Sequence, residues 1–281
     1  MAGRTLRIRS DRCPGILRPW PAPDGGLVRV RLLGGAVTSE QLLALSDIAR
    51  RHGGGDLHLT LRANVQLRAL PLTERGELPP EIVAAIEATG LLPSRVHDRA
   101  RNVLVSPLTG RAGGRADVRP IARELDRLIC AAPALADLPG RFLYVLDDGR
   151  GDVLDAPVDL GLVALDEETG QLRHGQDGWG AVVPLGDAAA ALVELAARFL
   201  QARGTGSDAP WHVDELAGPL ADDVPRDPRT HVHLPPLPYG GAHVAAPHGV
   251  LGVDLVRQLA ARGRELVVTP WRGVVVTEEI G

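Results

Sequence analysis

Apolar and polar residues alternate along the chain with a period of two in some segments and of three to four in others. In residues 25–35, valine and leucine alternate with arginine, which is typical of a half-buried strand. Residues 39–51 space leucine, isoleucine and alanine along one face of a helix. Three glycines at 53–55 end this helix. A second strand over 57–70 and a second helix over 79–89 complete the first group of elements.

The same order of elements recurs near the end of the sequence. The pattern predicts a strand over 241–245, a helix over 253–262 and a strand over 266–276. The two groups align with Thr60 and Thr269 in register. We therefore predict two half-domains in which the strands that carry these threonines occupy equivalent positions.

The residues between the two groups predict a further set of elements. They are a helix over 118–131, a strand over 140–146, a turn at 147–149, two or three strands through 163, a hairpin at 168–170 and a helix over 187–201. Residues 203–238 are rich in proline, glycine and aspartate and are predicted as a linker. The predicted domains are thus 1–90, an α/β portion over 91–202, and a partial second half-domain over 239–281.

The composition excludes several classes of protein. Hydrophobic residues make up 44% and charged residues 23%, as in ordinary globular proteins. No apolar run approaches the roughly 20 residues of a membrane span, so we expect a cytoplasmic protein without membrane contact. The net charge of −4 argues against general nucleic-acid binding. All 31 basic residues are arginine, so the number of arginines carries no argument by itself.

The strand predicted over 57–68 has the most informative pattern. One face is wholly apolar, and the other consists of His58, Thr60, Arg62, Asn64, Gln66 and Arg68. From periodicity alone, a sheet face in contact with water is the simpler interpretation. The corresponding strand over 266–276 has no polar face, which favours a polar binding surface on the first half.

Several short motifs resemble the sulfite and nitrite reductase superfamily, whose members handle tetrapyrroles. Residues 60–66 read T-x-R-x-x-x-Q, which is similar to the tetrapyrrole-facing strand of that superfamily. Residues 101–103 resemble its R-N-V/I motif, and residues 139–142 resemble a strand start with a basic active-site residue. The RCPG at 12–15 and the TPWR at 269–272 resemble the precorrin-3B synthase family within it. The resemblance covers nearly the whole chain, as the N-terminal portion of that family.

This resemblance implies a fold and a function. The fold is α+β, with two ferredoxin-like half-domains related by a pseudo-twofold axis and an intervening α/β portion of the sulfite reductase type. The function is oxidation of precorrin-3A to precorrin-3B in aerobic cobalamin biosynthesis, with O2 and an electron donor that is a protein or NADH. The alternatives are a siroheme-type nitrite or sulfite reductase relative and a non-catalytic tetrapyrrole-binding protein.

The resemblance also selects candidate side chains for binding the tetrapyrrole. They are Arg62, Asn64, Gln66, Arg68, Arg101, Asn102 and Arg141. Tetrapyrrole precursors carry several carboxylates, and a guanidinium donates in a fork that matches carboxylate geometry. We predict that Arg62, Arg101 and Arg141 converge on one cleft. Without the resemblance, Arg101 reads as a capping arginine and Arg141 as a solvated residue at a strand start. No catalytic residue is assigned.

Two departures from the superfamily bear on this function. Sulfite reductases carry a second basic residue two positions after the one that matches Arg141, but this chain has Leu143, which disfavours the reduction of a small oxyanion. The family also binds a [4Fe–4S] cluster through four cysteines, whereas the sequence contains only Cys13 and Cys130, outside the ligand positions. We expect no cluster on this chain. A natural truncation and a partner chain with the cluster region are both left open.

No other metal site is predicted. His231 and His233 fall on one strand face, but no carboxylate lies at a fixed spacing from them. Residues 147–149 are predicted as a turn, and Asp152 as a loop carboxylate.

Overall fold

The computed structural model describes residues 11–206, 208–231 and 242–280. Its helices are α1 (Ser39–His52), α2 (Pro80–Glu87), α3 (Arg119–Ala131), α4 (Ala188–Arg203) and α5 (Val253–Arg262). Its strands are β1 (Trp20–Ala22), β2 (Gly25–Val30), β3 (Ala36–Thr38), β4 (Leu57–Leu59), β5 (Val65–Leu70), β6 (Val103–Val105), β7 (Tyr144–Asp147), β8 (Leu160–Ala164), β9 (Thr169–His174), β10 (Gly178–Pro184), β11 (His243–Ala245), β12 (Val250–Leu251), β13 (Glu265–Val268) and β14 (Gly273–Val276). None of the helices in these ranges is long and apolar enough to cross a membrane.

The middle of the chain forms one mixed sheet in the order β10-β9-β8-β7-β6. Strands β6, β7 and β8 are parallel, and β9 and β10 are antiparallel to their neighbours. A parallel connection needs a crossover, and α3 supplies the one between β6 and β7. Phe142 packs 4.9 Å from Phe199 of α4, between ring centroids, in the core beneath this sheet.

Two further sheets have matching strand orders. One reads β1-β2-β5-β4-β12 and the other β11-β14-β13-β3. Each therefore ends with a short strand contributed by the opposite half of the chain. Leu251 of β12 pairs with Leu57, and Val37 of β3 pairs with Leu266. The two halves are joined by this reciprocal exchange, and α1 packs against α5.

The strands that carry Thr60 and Thr269 occupy equivalent positions, as predicted. In both, the threonine N–H donates to the carbonyl four residues on, from Thr60 to Asn64 at 2.9 Å and from Thr269 to Gly273 at 2.9 Å. The prediction that each is one continuous strand is wrong. Each is a hairpin, β4 with β5 and β13 with β14, closed by this five-residue turn.

The hairpin changes the meaning of the alternating pattern over 57–68. Ala63 has a φ of 54°, and its counterpart Arg272 has a φ of 56°, so the chain reverses direction there. His58 and Gln66 face each other across the hairpin. The polar residues therefore do not form one continuous strand face, because three of them belong to the turn or its ends.

The predicted helices are all present, with ends that agree within two residues. The part of the predicted linker around residues 225–227 packs on the middle sheet, because Gln171 donates to the carbonyl of Pro225 at 3.0 Å and accepts from the N–H of Asp227 at 2.8 Å. His233 and part of the strand predicted over 241–245 lie outside the described residues. The domain boundaries at 90, 202 and 238 stay predictions.

Candidate functional site

The turn over residues 60–64, which closes the hairpin of β4 and β5, is called the Thr60 turn below. An open pocket of about 490 Å³ lies where this turn meets the segments that precede β1 and β7. Its lining consists of Arg12, Cys13, Pro14, Arg29, Leu59, Thr60, Leu61, Arg62, Gln66, Arg141, His212 and Arg272. Five of these twelve residues are arginine, and none is aspartate or glutamate. The lining therefore favours an anionic ligand.

The Thr60 turn places Arg62 at the edge of this pocket. The Thr60 hydroxyl accepts hydrogen bonds from the N–H groups of Arg62 at 3.3 Å and Asn64 at 3.1 Å. The buried Asn64 side chain accepts from the N–H of Leu32 at 2.8 Å and so anchors the turn to the end of β2. Arg62 Nη1 then donates to the carbonyl of Arg141 at 2.9 Å.

Two of the pocket arginines are partly desolvated. Burial lowers the pKa of the Arg62 guanidinium, and the neighbouring Arg29 and Arg141 act in the same direction. Arg29 Nη1 approaches the Cys13 sulfur at 3.7 Å, while its Nε is buried without a hydrogen-bond partner among the described residues. A bound anion would offset the repulsion between these guanidiniums and would accept from the N–H groups that remain.

Asp11 brings Arg12 and Arg141 to the same rim of the pocket. One carboxylate oxygen of Asp11 accepts from the N–H of Cys13 at 2.9 Å, and the other accepts from the N–H of Gly140 at 2.6 Å. A Cβ at Gly140 would lie 2.6 Å from the Cys13 Cβ, so the two segments touch through a glycine. The RCPG motif at residues 12–15 and the PGRF motif at residues 139–142 are thus in contact.

Arg101 and Asn102 are buried and do not line the pocket. The fully buried Asn102 accepts from Arg31 Nε at 2.9 Å and donates to the carbonyl of Gly140 at 3.0 Å. Arg101 donates to both carboxylate oxygens of Asp126 in α3, at 2.6 and 3.0 Å. Its side chain is 6% exposed, so its donors point into the protein.

Of the seven predicted binding residues, the structure brings three to the pocket, Arg62, Gln66 and Arg141. The prediction that Arg101 shares this cleft is wrong, because Asp126 of α3 takes its guanidinium. Arg68 lies in β5 on the side away from the Thr60 turn. It pairs with Asp24, with 3.2 Å between Arg68 Nε and Asp24 Oδ2. Asn64 and Asn102 hold backbone segments in place and do not line the pocket.

Three arginines of the lining were missed by the sequence analysis. Arg29 alternates with buried residues of β2 and looked like a solvent-facing strand residue. Arg272 belongs to the TPWR motif, and the repeat places it in the turn equivalent to the Thr60 turn. Arg12 belongs to the RCPG motif, and its guanidinium stacks 4.9 Å from the centre of the Trp20 ring. The motifs could have identified the last two.

His212 was also missed, because it lies in the predicted linker. Its Nδ1 is 3.2 Å from a carboxylate oxygen of Asp159, a residue that is 2% exposed. The same carboxylate accepts from the N–H groups of Leu143 and Val213, which fix its position. An imidazole held in this way by a buried carboxylate is suited to proton transfer.

The described residues do not fit an iron–sulfur cluster. Both cysteines are free thiols, one bordering the pocket and the other near the end of α3. Within the described ranges, no group of three or more possible metal ligands includes a cysteine. The arginine-lined pocket, in contrast, fits a ligand with several carboxylates.

Comparisons with known proteins agree with this architecture. Residues 21–85 match the family described as "Nitrite/Sulfite reductase ferredoxin-like half domain". The structure of the Mycobacterium tuberculosis NirA protein superposes with a TM-score of 0.69 at 21% identity, over 98% of this chain and 60% of that one. Residues 21–85 thus match this half-domain, and the chain has the fold of the NirA structure. The predicted α+β fold and the resemblance to the superfamily are confirmed.

Among particular relatives, the chain is similar to a precorrin-3B synthase from Sinorhizobium sp, with 32% identity over 173 residues, 60% of this chain and 36% of that protein. It is also 29% identical over 143 residues to a ferredoxin–nitrite reductase from Synechococcus elongatus, 48% of this chain and 27% of that protein. A sulfite reductase [NADPH] hemoprotein beta-component from Shouchella clausii is 48% identical over 103 residues, 37% of this chain and 18% of that protein. The chain spans about a third or less of these relatives.

Proposed function

We propose that this chain is the tetrapyrrole-binding part of a precorrin-3B synthase-like oxidoreductase. The observation that carries the proposal is the pocket lining, with five arginines and no carboxylate. The substrate is precorrin-3A, and an electron donor, a protein or NADH, belongs to the same proposal. Support for this particular reaction comes from the similarity to a precorrin-3B synthase over 60% of the chain.

The chemistry of the ligand explains the composition of the pocket. A precorrin carries carboxylates around the whole edge of its ring, so recognition needs cations on several sides. Arg12 and Arg141 lie on one rim, while Arg62 and Arg272 come from the two equivalent turns. A volume of about 490 Å³ is within the range of sites for small organic ligands. Each guanidinium can bind a carboxylate through two N–H groups.

A siroheme-type nitrite or sulfite reductase relative is the second candidate, and one observation favours it. Leu143 is buried at 2% exposure, so it adds no charge to the pocket. Arg12, Arg29 and Arg272 nevertheless give the pocket clustered positive charge, and this observation supports the second candidate although Leu143 disfavours the reduction of a small oxyanion. The same arginines could also bind the carboxylates of sirohaem.

One titration separates these candidates. The purified chain is titrated anaerobically with precorrin-3A and, in parallel, with sirohaem, while the ring absorption is followed. Saturable binding of precorrin-3A, with weaker binding of sirohaem, supports the proposal. Preference for sirohaem supports the reductase relative. Failure to bind either ring would refute a tetrapyrrole site.

Air is then admitted to the precorrin-3A complex. Conversion to precorrin-3B with an added electron donor would show that the chain is active alone. A complex that stays unchanged in air would indicate a binding role, with the redox groups supplied by another polypeptide.

A further inference from the structure

A second cluster of charged side chains lies at the edge of the middle sheet, away from the arginine-lined pocket. Asp147 is the last residue of β7, and Asp148 and Asp152 follow in the next loop. Ser106 comes directly after β6, which is parallel to β7 with Val105 opposite Leu146. Both loops thus leave the same edge of the sheet. The carboxyl ends of parallel strands are the usual place for ligands in such sheets.

Asp147 folds the loop that follows it. One of its carboxylate oxygens accepts from the N–H groups of Gly149 at 2.9 Å and Gly151 at 2.8 Å, and the other accepts from Val153 at 3.3 Å. Gly149 and Gly151 have φ values of 87° and 85°, which turn the chain back toward the sheet. The predicted turn at 147–149 is therefore present and continues as a compact loop.

This loop brings two more carboxylates to Asp147. Ser106 Oγ donates to Asp152 Oδ1 at 2.6 Å and accepts from the N–H of Asp148 at 3.1 Å. Asp148 Oδ1 accepts from the N–H of Arg150 at 3.0 Å. One carboxylate oxygen of Asp148 and one of Asp152 thus accept hydrogen bonds from neighbouring residues. The second oxygen of each carboxylate does not take part in these bonds.

Those second oxygens are buried and lack hydrogen-bond partners among the described residues. Asp148 is 0% exposed, and the Oδ2 atoms of both Asp148 and Asp152 are unsatisfied. Arg150 is the nearest cation, but its Nε lies 3.9 Å from Asp152 Oδ2, too far for a hydrogen bond. Asp148 and Asp152 therefore each hold one buried carboxylate oxygen that receives no hydrogen bond from the described residues. Buried carboxylates without compensation are strongly unfavourable, so the loop needs a further positive charge.

We propose that Asp147, Asp148 and Asp152 bind a divalent cation. One oxygen from each lies within 4.8 Å of the others. Two oxygens on a common ion, at bond lengths of about 2.1–2.4 Å, lie no farther apart than about 4.8 Å. Carboxylate and hydroxyl oxygens favour hard ions, so Mg²⁺, Mn²⁺ and Ca²⁺ are the fitting class. The site lies outside the arginine-lined pocket and does not depend on the function proposed for it.

The proton is the competing occupant of this cluster. Burial, followed by the charges of Asp152 and Asp147, raises the pKa of Asp148 to about 7. A divalent ion displaces such protons, so its affinity rises with pH. Binding should therefore be measured at about pH 8, where protons compete least.

The test uses Mn²⁺ as the probe on the purified full chain after treatment with a chelator. Free Mn²⁺ is followed by electron paramagnetic resonance, and the thermal midpoint of unfolding is measured in parallel. We expect one Mn²⁺ per chain and a higher midpoint. Asp148→Asn and Asp152→Asn should each weaken binding about tenfold or more, since even changes to outer ligands cost about that much.

Asp155→Asn is the matched control, because Asp155 is an exposed carboxylate three residues beyond Asp152. It should leave Mn²⁺ affinity unchanged. The proposal is overturned if the wild-type chain shows neither saturable Mn²⁺ binding nor a thermal shift with Mn²⁺, Mg²⁺ or Ca²⁺. Equal binding by folded Asp148→Asn would also overturn it. The wild-type measurements do not depend on any variant, so they can overturn the proposal even if a variant fails to fold.

Discussion

Arg62 Nη1 donates a hydrogen bond to the backbone carbonyl of Arg141 at 2.9 Å, across 79 positions of sequence. The bond ties the turn of one ferredoxin-like sheet to the segment that leads into the middle sheet. It also fixes the Arg62 guanidinium before any ligand arrives, while its other N–H groups stay available. Fixing a rotamer-rich side chain in advance reduces the entropy lost on binding.

Replacing Arg62 by alanine should therefore weaken tetrapyrrole binding. The expected loss is about 1.5–3 kcal/mol, the range for a hydrogen bond to a charged group. Absorbance titration with a polycarboxylate tetrapyrrole measures it. Arg198→Ala is the control, because Arg198 pairs with Glu194 on the exposed face of α4 and should not change the affinity. Unchanged affinity in Arg62→Ala would remove Arg62 from the site.

Arg272 offers a way to separate binding from stability. It is a non-glycine residue at a φ of 56°, which costs about 1–2 kcal/mol. Arg272→Gly relieves this strain, and the greater freedom of glycine in the unfolded chain offsets about 0.5–1 kcal/mol of the gain. We expect weaker ligand binding with no fall in the thermal midpoint.

Arg272→Ala should lose the same affinity and keep the strain, so it should be less stable than the glycine variant. If Arg272→Gly binds the ligand as well as the wild type, Arg272 has no part in the site.

Arg101 is expected to stabilise the fold without contacting the ligand. Arg101→Met leaves Asp126, whose side chain is 16% exposed, without its partner, and should cost about 3 kcal/mol in the free energy of unfolding. The double variant Arg101→Met with Asp126→Leu should recover most of this loss. Chemical denaturation measures both. A folded Arg101→Met chain that no longer binds a tetrapyrrole would instead support the role predicted from the sequence.

The helices and the repeat could be predicted from the sequence because their signals are local. α1 has a helical apolar period, and its start is fixed locally because Thr38 forms a capping box with Gln41. α5 was predicted with the same ends that the structure has. The register of Thr60 with Thr269 identified equivalent positions in the two halves, although these positions are turns and not strands.

The remaining features depend on contacts that no local pattern records. β3 and β12 are three and two residues long, too short for periodicity to reveal that they exchange between sheets. The turn at Ala63 carries no glycine, so nothing interrupted the alternating pattern there. Arg101 was misassigned because its partner Asp126 is 25 positions away and is brought close only by α3 packing.

The two cysteines lead to a prediction about iron. A [4Fe–4S] cluster is usually held by four thiolates, and this sequence has Cys13 and Cys130 only. Anaerobic reconstitution of the 281-residue chain with iron and sulfide should therefore give no four-iron centre. Iron analysis and electron paramagnetic resonance of the reduced protein check this. A near-stoichiometric four-iron signal would contradict it.

The junction between the two halves can be tested at a single glycine. Gly35 has a φ of 78°, and a Cβ built there would lie 2.1 Å from the carbonyl oxygen of Val268 in the opposite half. Gly76 has nearly the same φ, 75°, but a Cβ there would have no neighbour within 4 Å. Comparing alanine variants at Gly35 and Gly76 therefore separates two contributions to the free energy of unfolding. One is the steric contact with Val268, and the other is the left-handed backbone conformation.

Gly76→Ala should lower the free energy of unfolding by about 1–2 kcal/mol, which is the cost of a left-handed alanine. Gly35→Ala carries that same cost and in addition forces β3 away from β13, so it should lose several kcal/mol. Urea denaturation of both variants measures the difference. Equal losses would mean that the backbone at Val268 moves aside freely. In that case the exchanged strand β3 would not be what holds the two halves in register.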